Sequence, residues 1–167
     1  TTIWFGRRQR LAGNFHSNQG STIATHRRHL LWDHDGVLVD TERWYFEATR
    51  TVLAHLGIEL SLAVYLELNT AGRSNWDLAR ARGVDEHNVQ RHRAERNALY
   101  QEFLRSQPIE IAGVKEVLAE LAPRHRMAIV TTARRSDFEL IHAERDLLGH
   151  FEFVLTVDDY ARSKPHP

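Results

Sequence analysis

Three short stretches of the chain are almost continuously apolar, and the longer stretches between them carry apolar residues at helical spacing. The short runs are HLLWD (29–33), MAIVTT (127–132) and FEFVLTV (151–157). Compact apolar runs of this length, without strict alternation, are expected of parallel strands covered on both faces. Helical spacing marks GVKEVLAELA (113–122), before the second run, and SDFELIHAERDLLG (136–149), between the second and the third. Strand, helix and strand joined by short connections predict an α/β fold, a Rossmann-like parallel sheet with right-handed crossovers.

The interval between the first and second runs is too long for one crossover. It holds ERWYFEATRTVLAHLG, with Trp44, Thr51, Val52 and His55 at helical spacing, then SLAVYLELN, SNWDLARARG and the polar DEHNVQRHRAERNALYQEFLRSQ. Ser61, Ser74 and Asp85 stand where N-caps belong, and Gly57 and Gly83 where helices end. The spacing therefore predicts a helical module over 41–107, inserted into an α/β core formed by 29–40 and 108–167. Pro108 and Gly113 mark the return to the sheet.

Composition narrows the class. Hydrophobic residues make up 42% of the chain, enough for a real core, and there is no cysteine, which excludes disulfide scaffolds and thiolate metal sites. No apolar run approaches the ~20 residues of a membrane-spanning helix. A soluble cytoplasmic monomer, with neither a membrane nor a nucleic-acid partner, is the expectation. The net charge of zero hides an asymmetry: residues 1–28 hold Arg7, Arg8, Arg10, Arg27 and Arg28 without an acid. That segment lacks periodicity and reads as an irregular basic extension, with a transit peptide or a nucleic-acid arm as the other readings. Glu95 interrupts the basic run RHRAER (91–96), which reads as a charged helix face and not as a nucleic-acid stripe.

The candidate chemistry sits at the end of the first strand, in LLWDHDGVLVDTE (30–42). Asp33 and Asp35 are one residue apart, so a strand would send both carboxylates to one face. Open parallel sheets bind ligands outside the carboxyl ends of their strands, and this is such an end. Two close carboxylates call for a positive partner, and oxygen-only donors favour a hard cation such as Mg²⁺. Gly36 permits a sharp turn with no side chain in the way of an anion.

DHDGVLVDTE resembles the first motif of the haloacid dehalogenase-like hydrolases, Asp-x-Asp-Gly-x-x-x-Asp after the first core strand. Thr131 in AIVTTARR is similar to the second motif, a Ser or Thr ending the next strand, and Lys164 in SKPHP to the third, a lysine beside prolines. The resemblance covers residues 29–167 and includes the helical cap of the family's first subgroup. It implies a Mg²⁺-dependent phosphatase acting on a small phosphorylated metabolite, of the sugar phosphate or phosphoglycolate type. Asp33 would be the nucleophile that forms an aspartyl-phosphate, and Asp35 the general acid and base. Thr131 would hold a phosphoryl oxygen, and Lys164 would neutralise charge. Asp33 and the backbone carbonyl of Asp35 would ligate Mg²⁺. Gly36, Glu42, Arg73 in the cap loop TAGRSNWD, and Thr132 would meet the substrate. Family members that cleave carbon–halogen or carbon–phosphorus bonds lack Asp at the second position, so Asp35 points to phosphoryl transfer. A β-phosphoglucomutase-like mutase and an inactive truncated fragment are the alternatives.

One departure stands out. The family's fourth motif, acidic residues completing the metal site, follows the lysine, and no such motif occurs by Pro167. Asp158 and Asp159 precede Lys164 and so have the wrong order. The core is therefore read as incomplete. His34 is expected to alternate away from both carboxylates, Asp40 to serve as a hinge-region or loop-capping group, and Trp44 and Tyr45 to pack in the cap. Arg134 and Arg135 are expected to approach the substrate or to cap a helix.

Overall fold

The computed structural model describes residues 28–162 and 164. The basic extension, apart from Arg28, and Pro165 and Pro167 of the lysine motif lie outside the described residues. β1 (Arg28–Trp32), β2 (His125–Val130) and β3 (Phe153–Leu155) form a parallel sheet in the order β1-β2-β3. The register pairs Leu30 with Met127 and Trp32 with Ile129. The two strands thus end within one residue of each other, and Asp33 follows Trp32 at the level of Val130, one residue short of Thr131.

β2 is central and buried, with Met127, Ala128 and Ile129 all below 5% exposure. Met127 and Ile129 pack with Leu38, Leu118, Phe138 and Leu147, while Leu30 and Trp32 cover the cluster from β1. Burial of each such side chain contributes about 1.5–3 kcal/mol, so the layer of helix α5 (Val114–Leu121) on the sheet is held chiefly by apolar area. β1 departs from the expectation of a strand covered on both faces. Its burial alternates, and Leu31 is 70% exposed, because β1 is the edge of the sheet among the described residues.

The interval between β1 and α5 is helical: α1 (Glu42–His55), α2 (Leu62–Thr70), α3 (Asp77–Ala81) and α4 (Glu86–Ser106). Ser61 and Asp85 cap α2 and α4, accepting from the backbone N–H of Val64 and Asn88. Ser74 stands off α3 by two residues and accepts from the N–H of Trp76, itself the residue before the helix. The buried side of α1 is Phe46, Ala48, Thr49, Val52 and Leu53, not the line through Trp44 and His55. Phe46 meets the ring of Tyr65 in α2, and the small Ala48 and Thr49 meet α4, whereas His55 remains at the surface, 2.9 Å from Glu95. Helix α6 (Arg135–His142) is little more than half as long as its periodicity predicted. Arg145 turns back to donate to the carbonyl of Ile141 at 2.6 Å and stops the helix, and a 3-10 turn over Leu148–His150 follows.

Gly83 ends α3 with φ +80, and the space around its absent side chain is empty. Gly83→Ala therefore meets no clash and only the cost of a left-handed backbone. The expected loss is about 1 kcal/mol, read as a lower urea midpoint, with Gly83→Asn milder.

Candidate active site

The chain leaves β1 at Trp32 and turns at once. Gly36 N–H donates to the carbonyl of Val39 at 2.8 Å, and Leu38 N–H to that of His34 at 2.8 Å. Gly36 takes φ +73, which costs a residue with a Cβ but not glycine. Leu38 and Val39, both 1% exposed, anchor the far side of this turn in the core. The two aspartates are thereby held on a tight loop over the carboxyl end of the sheet.

Asp33 faces outward, with its side chain 53% exposed. Its Oδ1 accepts from the N–H of His34 at 2.8 Å and from Lys164 Nζ at 2.9 Å. Lys164 also donates to the carbonyl of Val130, at the end of β2, at 3.0 Å. The lysine thus bridges the ends of both strands and compensates the Asp33 charge.

Asp35 is less exposed and is held by hydroxyls. Thr41 Oγ1 donates to it at 2.5 Å and Thr131 Oγ1 approaches its other oxygen at 3.4 Å. Burial pushes the Asp35 carboxyl up, but His34 beside it and the two threonine hydroxyls outweigh that, so it lies below the usual carboxylate range. Thr131 is fully buried, and its hydroxyl accepts from the N–H of Ala133 at 3.0 Å. Tyr160 donates to the Thr131 carbonyl at 2.7 Å and fixes the residue from behind.

A cavity of about 390 Å³ opens from Asp35 toward the helical module. Its floor includes Thr132 and Arg134, and its walls Glu42 and Tyr45 of α1, Tyr65 of α2, and Arg93, Arg96, Asn97 and Tyr100 of α4. Tyr65 donates to Glu42 Oε1 at 3.1 Å, and burial followed by the Glu42 charge pushes its phenol above the usual range. Arg134 closes two hydrogen bonds, of 3.0 and 2.8 Å, on Asp137 Oδ2.

A family model described as haloacid dehalogenase-like hydrolase matches residues 30–167. The chain belongs to the haloacid dehalogenase-like hydrolases. It is 28% identical over 144 residues to the fructose-1-phosphate phosphatase YqaB of Escherichia coli, a match spanning 83% of this chain and 73% of that protein. CbbY from Rhodobacter sphaeroides, solved in complex with phosphate, superposes with a TM-score of 0.63 at 20% identity, over 83% of this chain and 67% of that one. A family IA, variant 3 hydrolase from Entamoeba histolytica gives 0.67 at 18% identity, over 83% and 65%. These two likenesses speak for the fold, and the chain spans about two thirds of each solved structure.

Of the residues that the hydrolase motifs single out, the structure brings Lys164 onto Asp33 and Thr131 onto Asp35, with Glu42 and Thr132 in the cavity beside Asp35. Gly36 forms the turn below them. Arg73 is not brought to this site: it is 61% exposed, lies 3.9 Å from Asp77 within the cap, and is absent from the cavity wall. Asp158 and Asp159 are occupied elsewhere. Asp158 accepts the N–H of Arg135 at 2.7 Å, and Asp159 closes a capping box on Thr156 and pairs with the Arg135 side chain.

His34 does not turn away from the site as strand alternation predicted, because the strand has already ended. It is fully buried, with Nδ1 3.5 Å from Asp35 Oδ1 and Nε2 2.9 Å from Nε2 of His142. The α4 residues were likewise hidden in the sequence by the charge of RHRAER. Arg96 is 5% exposed, stacked with its Cζ 4.1 Å from the centre of the Tyr45 ring, and its Nη1 donates to Thr49 Oγ1 at 3.3 Å. The available signal was spacing: Arg93, Arg96, Asn97 and Tyr100 fall at i, i+3, i+4 and i+7.

For the Mg²⁺ that family membership implies, the donor chemistry fits. Asp33 offers an exposed carboxylate and Asp35 a carbonyl, both hard oxygens. The set is partial, since among the described residues no three acidic or histidine side chains cluster as a metal site. Among the same residues no helix is long and apolar enough to cross a membrane.

Proposed function

We propose that the protein is a Mg²⁺-dependent phosphatase that hydrolyses a small phosphomonoester, of the sugar phosphate or phosphoglycolate type, through an aspartyl-phosphate on Asp33. The observation that carries this reading is the pairing of an exposed Asp33 with Lys164 at 2.9 Å, one residue from a half-buried Asp35 held by two threonine hydroxyls. The likeness to a fructose-1-phosphate phosphatase supports the substrate class.

Asp33 attacks phosphorus while Asp35 delivers a proton to the leaving oxygen. Asp35 then takes a proton from the water that releases phosphate from Asp33. A carboxyl with a depressed pKa suits the second half of this cycle. For the first half, the negative charge of an incoming phosphate raises it toward the protonated form. Lys164 offsets charge on Asp33 and on the phosphoryl oxygens, and the Thr131 hydroxyl turns from Asp35 to one of those oxygens. Asp33 and the Asp35 carbonyl would hold Mg²⁺, which when bound relieves the repulsion between anionic nucleophile and anionic substrate. Residues 41–107 act as the cap that covers the core of 29–40 and 108–167, and they exclude water from the reacting groups.

The test is a product assay with sugar monophosphates and phosphoglycolate in the presence of Mg²⁺. Free phosphate is the expected product. Isomerised sugar phosphate in place of free phosphate would instead assign a mutase of the β-phosphoglucomutase type, and no turnover of any ester would remove the enzymatic reading.

A further inference from the structure

The cavity wall contributed by the cap has a charge pattern that the hydrolytic chemistry does not use. Three guanidinium groups and three carboxylates line the cavity, but most are already committed. Arg134 is spent on Asp137. Arg96 is buried under Tyr45, and its Nε is bonded to Asn97 Oδ1 at 3.0 Å. What remains above Asp35 is the Glu42 carboxylate, the amide NH₂ of Asn97, and Arg93, whose charge is felt by Glu86 at the start of its own helix but which holds no close ion pair among the described residues. Glu42 is itself oriented: Tyr65, 2% exposed, donates to one of its oxygens at 3.1 Å and leaves the other for a ligand.

A carboxylate that shares one cavity with an amide and a guanidinium matches the mixed donors and acceptors of a polyol. Hydroxyl hydrogens meet Glu42, and hydroxyl oxygens accept from Asn97 and Arg93. The same carboxylate is a poor neighbour for a carboxylate or a second phosphate, because like charges in a partly desolvated pocket repel strongly. The acid excludes what the arginine alone would attract.

We propose that Glu42, set by Tyr65, together with Asn97 and Arg93, is the specificity element of the cavity, and that it selects a polyhydroxylated monophosphate over phosphoglycolate and over bisphosphates. The proposal rests on the phosphatase reading for the position of the phosphate. It moves specificity from the exposed loop carrying Arg73 to the facing sides of α1, α2 and α4. Sites that hydrogen-bond substrate hydroxyls reject ligands lacking them far more sharply than apolar sites reject a missing methylene.

Calorimetric titration of the full-length Asp33→Asn protein, in buffer containing Mg²⁺, tests this with a ketohexose 1-phosphate, phosphoglycolate, a ketohexose 1,6-bisphosphate and hexyl phosphate. The ketohexose monophosphate is expected to bind at least tenfold more tightly than the other three. Adding Glu42→Gln should bring monophosphate and bisphosphate within about threefold. Arg93→Ala, on an exposed helix face where folding is not at stake, should weaken the ketohexose monophosphate more than hexyl phosphate. Equal or tighter binding of phosphoglycolate or the bisphosphate, an unchanged ratio in Glu42→Gln, or no binding by any ligand would overturn the proposal. Wild-type phosphate release from p-nitrophenyl phosphate separates the two levels: its absence sinks the phosphatase reading, and its presence beside indifferent affinities sinks only the specificity element.

Discussion

Asp33→Asn is expected to lower phosphate release roughly a thousandfold or more, a loss of about 4 kcal/mol of transition-state stabilisation. Asparagine keeps the shape of the side chain and can still accept from the His34 N–H, but its amide oxygen is too weak a nucleophile to displace an alkoxide. Because Asp33 is 53% exposed and its partner Lys164 38% exposed, the lost ion pair should cost the fold little, and the thermal midpoint should hardly move. The measurement pairs steady-state phosphate release with acid-quench trapping of labelled enzyme. The wild type should carry an acid-stable, hydroxylamine-sensitive phosphoryl group, as an acyl-phosphate does, and the variant should carry none. A variant that releases phosphate at the wild-type rate would remove Asp33 from the nucleophilic role. A variant that loses activity together with its folded state would leave the nucleophile to be read from the trapping experiment on the wild type.

What the sequence made legible and what it hid follow from how far each signal reaches along the chain. The three strands and the acidic loop were readable because they are local: a continuous apolar run, then Asp-x-Asp-Gly, marks a strand, its end and the turn after it. Helix boundaries were readable where a cap was local, as at Ser61 and Asp85. They failed where a distant partner intervened, as at α6: Arg145, inside the stretch read as helix, bonds the carbonyl of Ile141 while reaching Glu110 thirty-five positions away. The cavity wall was hidden for a similar reason. Arg96 looks like a surface residue until the Tyr45 ring and Thr49 of α1 are brought over it, an encounter more than forty positions distant in the chain. Arg73, by contrast, sits in a loop whose composition resembles a specificity loop, and its local partner Asp77, four residues on, holds it at the surface. A local resemblance cannot say which way such a loop faces; packing decides it.

Acid should destabilise the protein from an unusually high pH, and His142 is the reason. Burial, followed by the neighbouring His34 and Arg145, pushes its imidazole down to about 3, with Asp35 opposing only in part. The geometry agrees. Nε2 of His142 is 2.9 Å from Nε2 of His34, so one ring donates and the other accepts, and Nδ1 of His142 is buried with no partner. Phe138 packs on both rings, with centroids 4.8 Å from His34 and 4.5 Å from His142, so no water reaches a new N–H there. Between the ordinary histidine pKa of about 6.5 and the lowered one, the unfolded chain holds a proton at this position that the folded chain does not. Stability therefore falls as pH drops through that window, by up to about 1.4 kcal/mol per pH unit. Carboxylates held below their usual range, among them Asp35 and Asp159, add their own losses only below about pH 4.5. The interval from pH 6.5 to 4.5 thus isolates the histidine, which should lower the unfolding free energy there by roughly 2–3 kcal/mol. His142→Gln keeps a hydrogen-bonding group facing His34 but has nothing to titrate. Urea unfolding across these pH values should give a sloping stability for the wild type and a flatter one for the variant. Parallel slopes would show that His142 takes up its proton in the folded state, and a buried neutral His142 beneath Asp35 would then have to be abandoned.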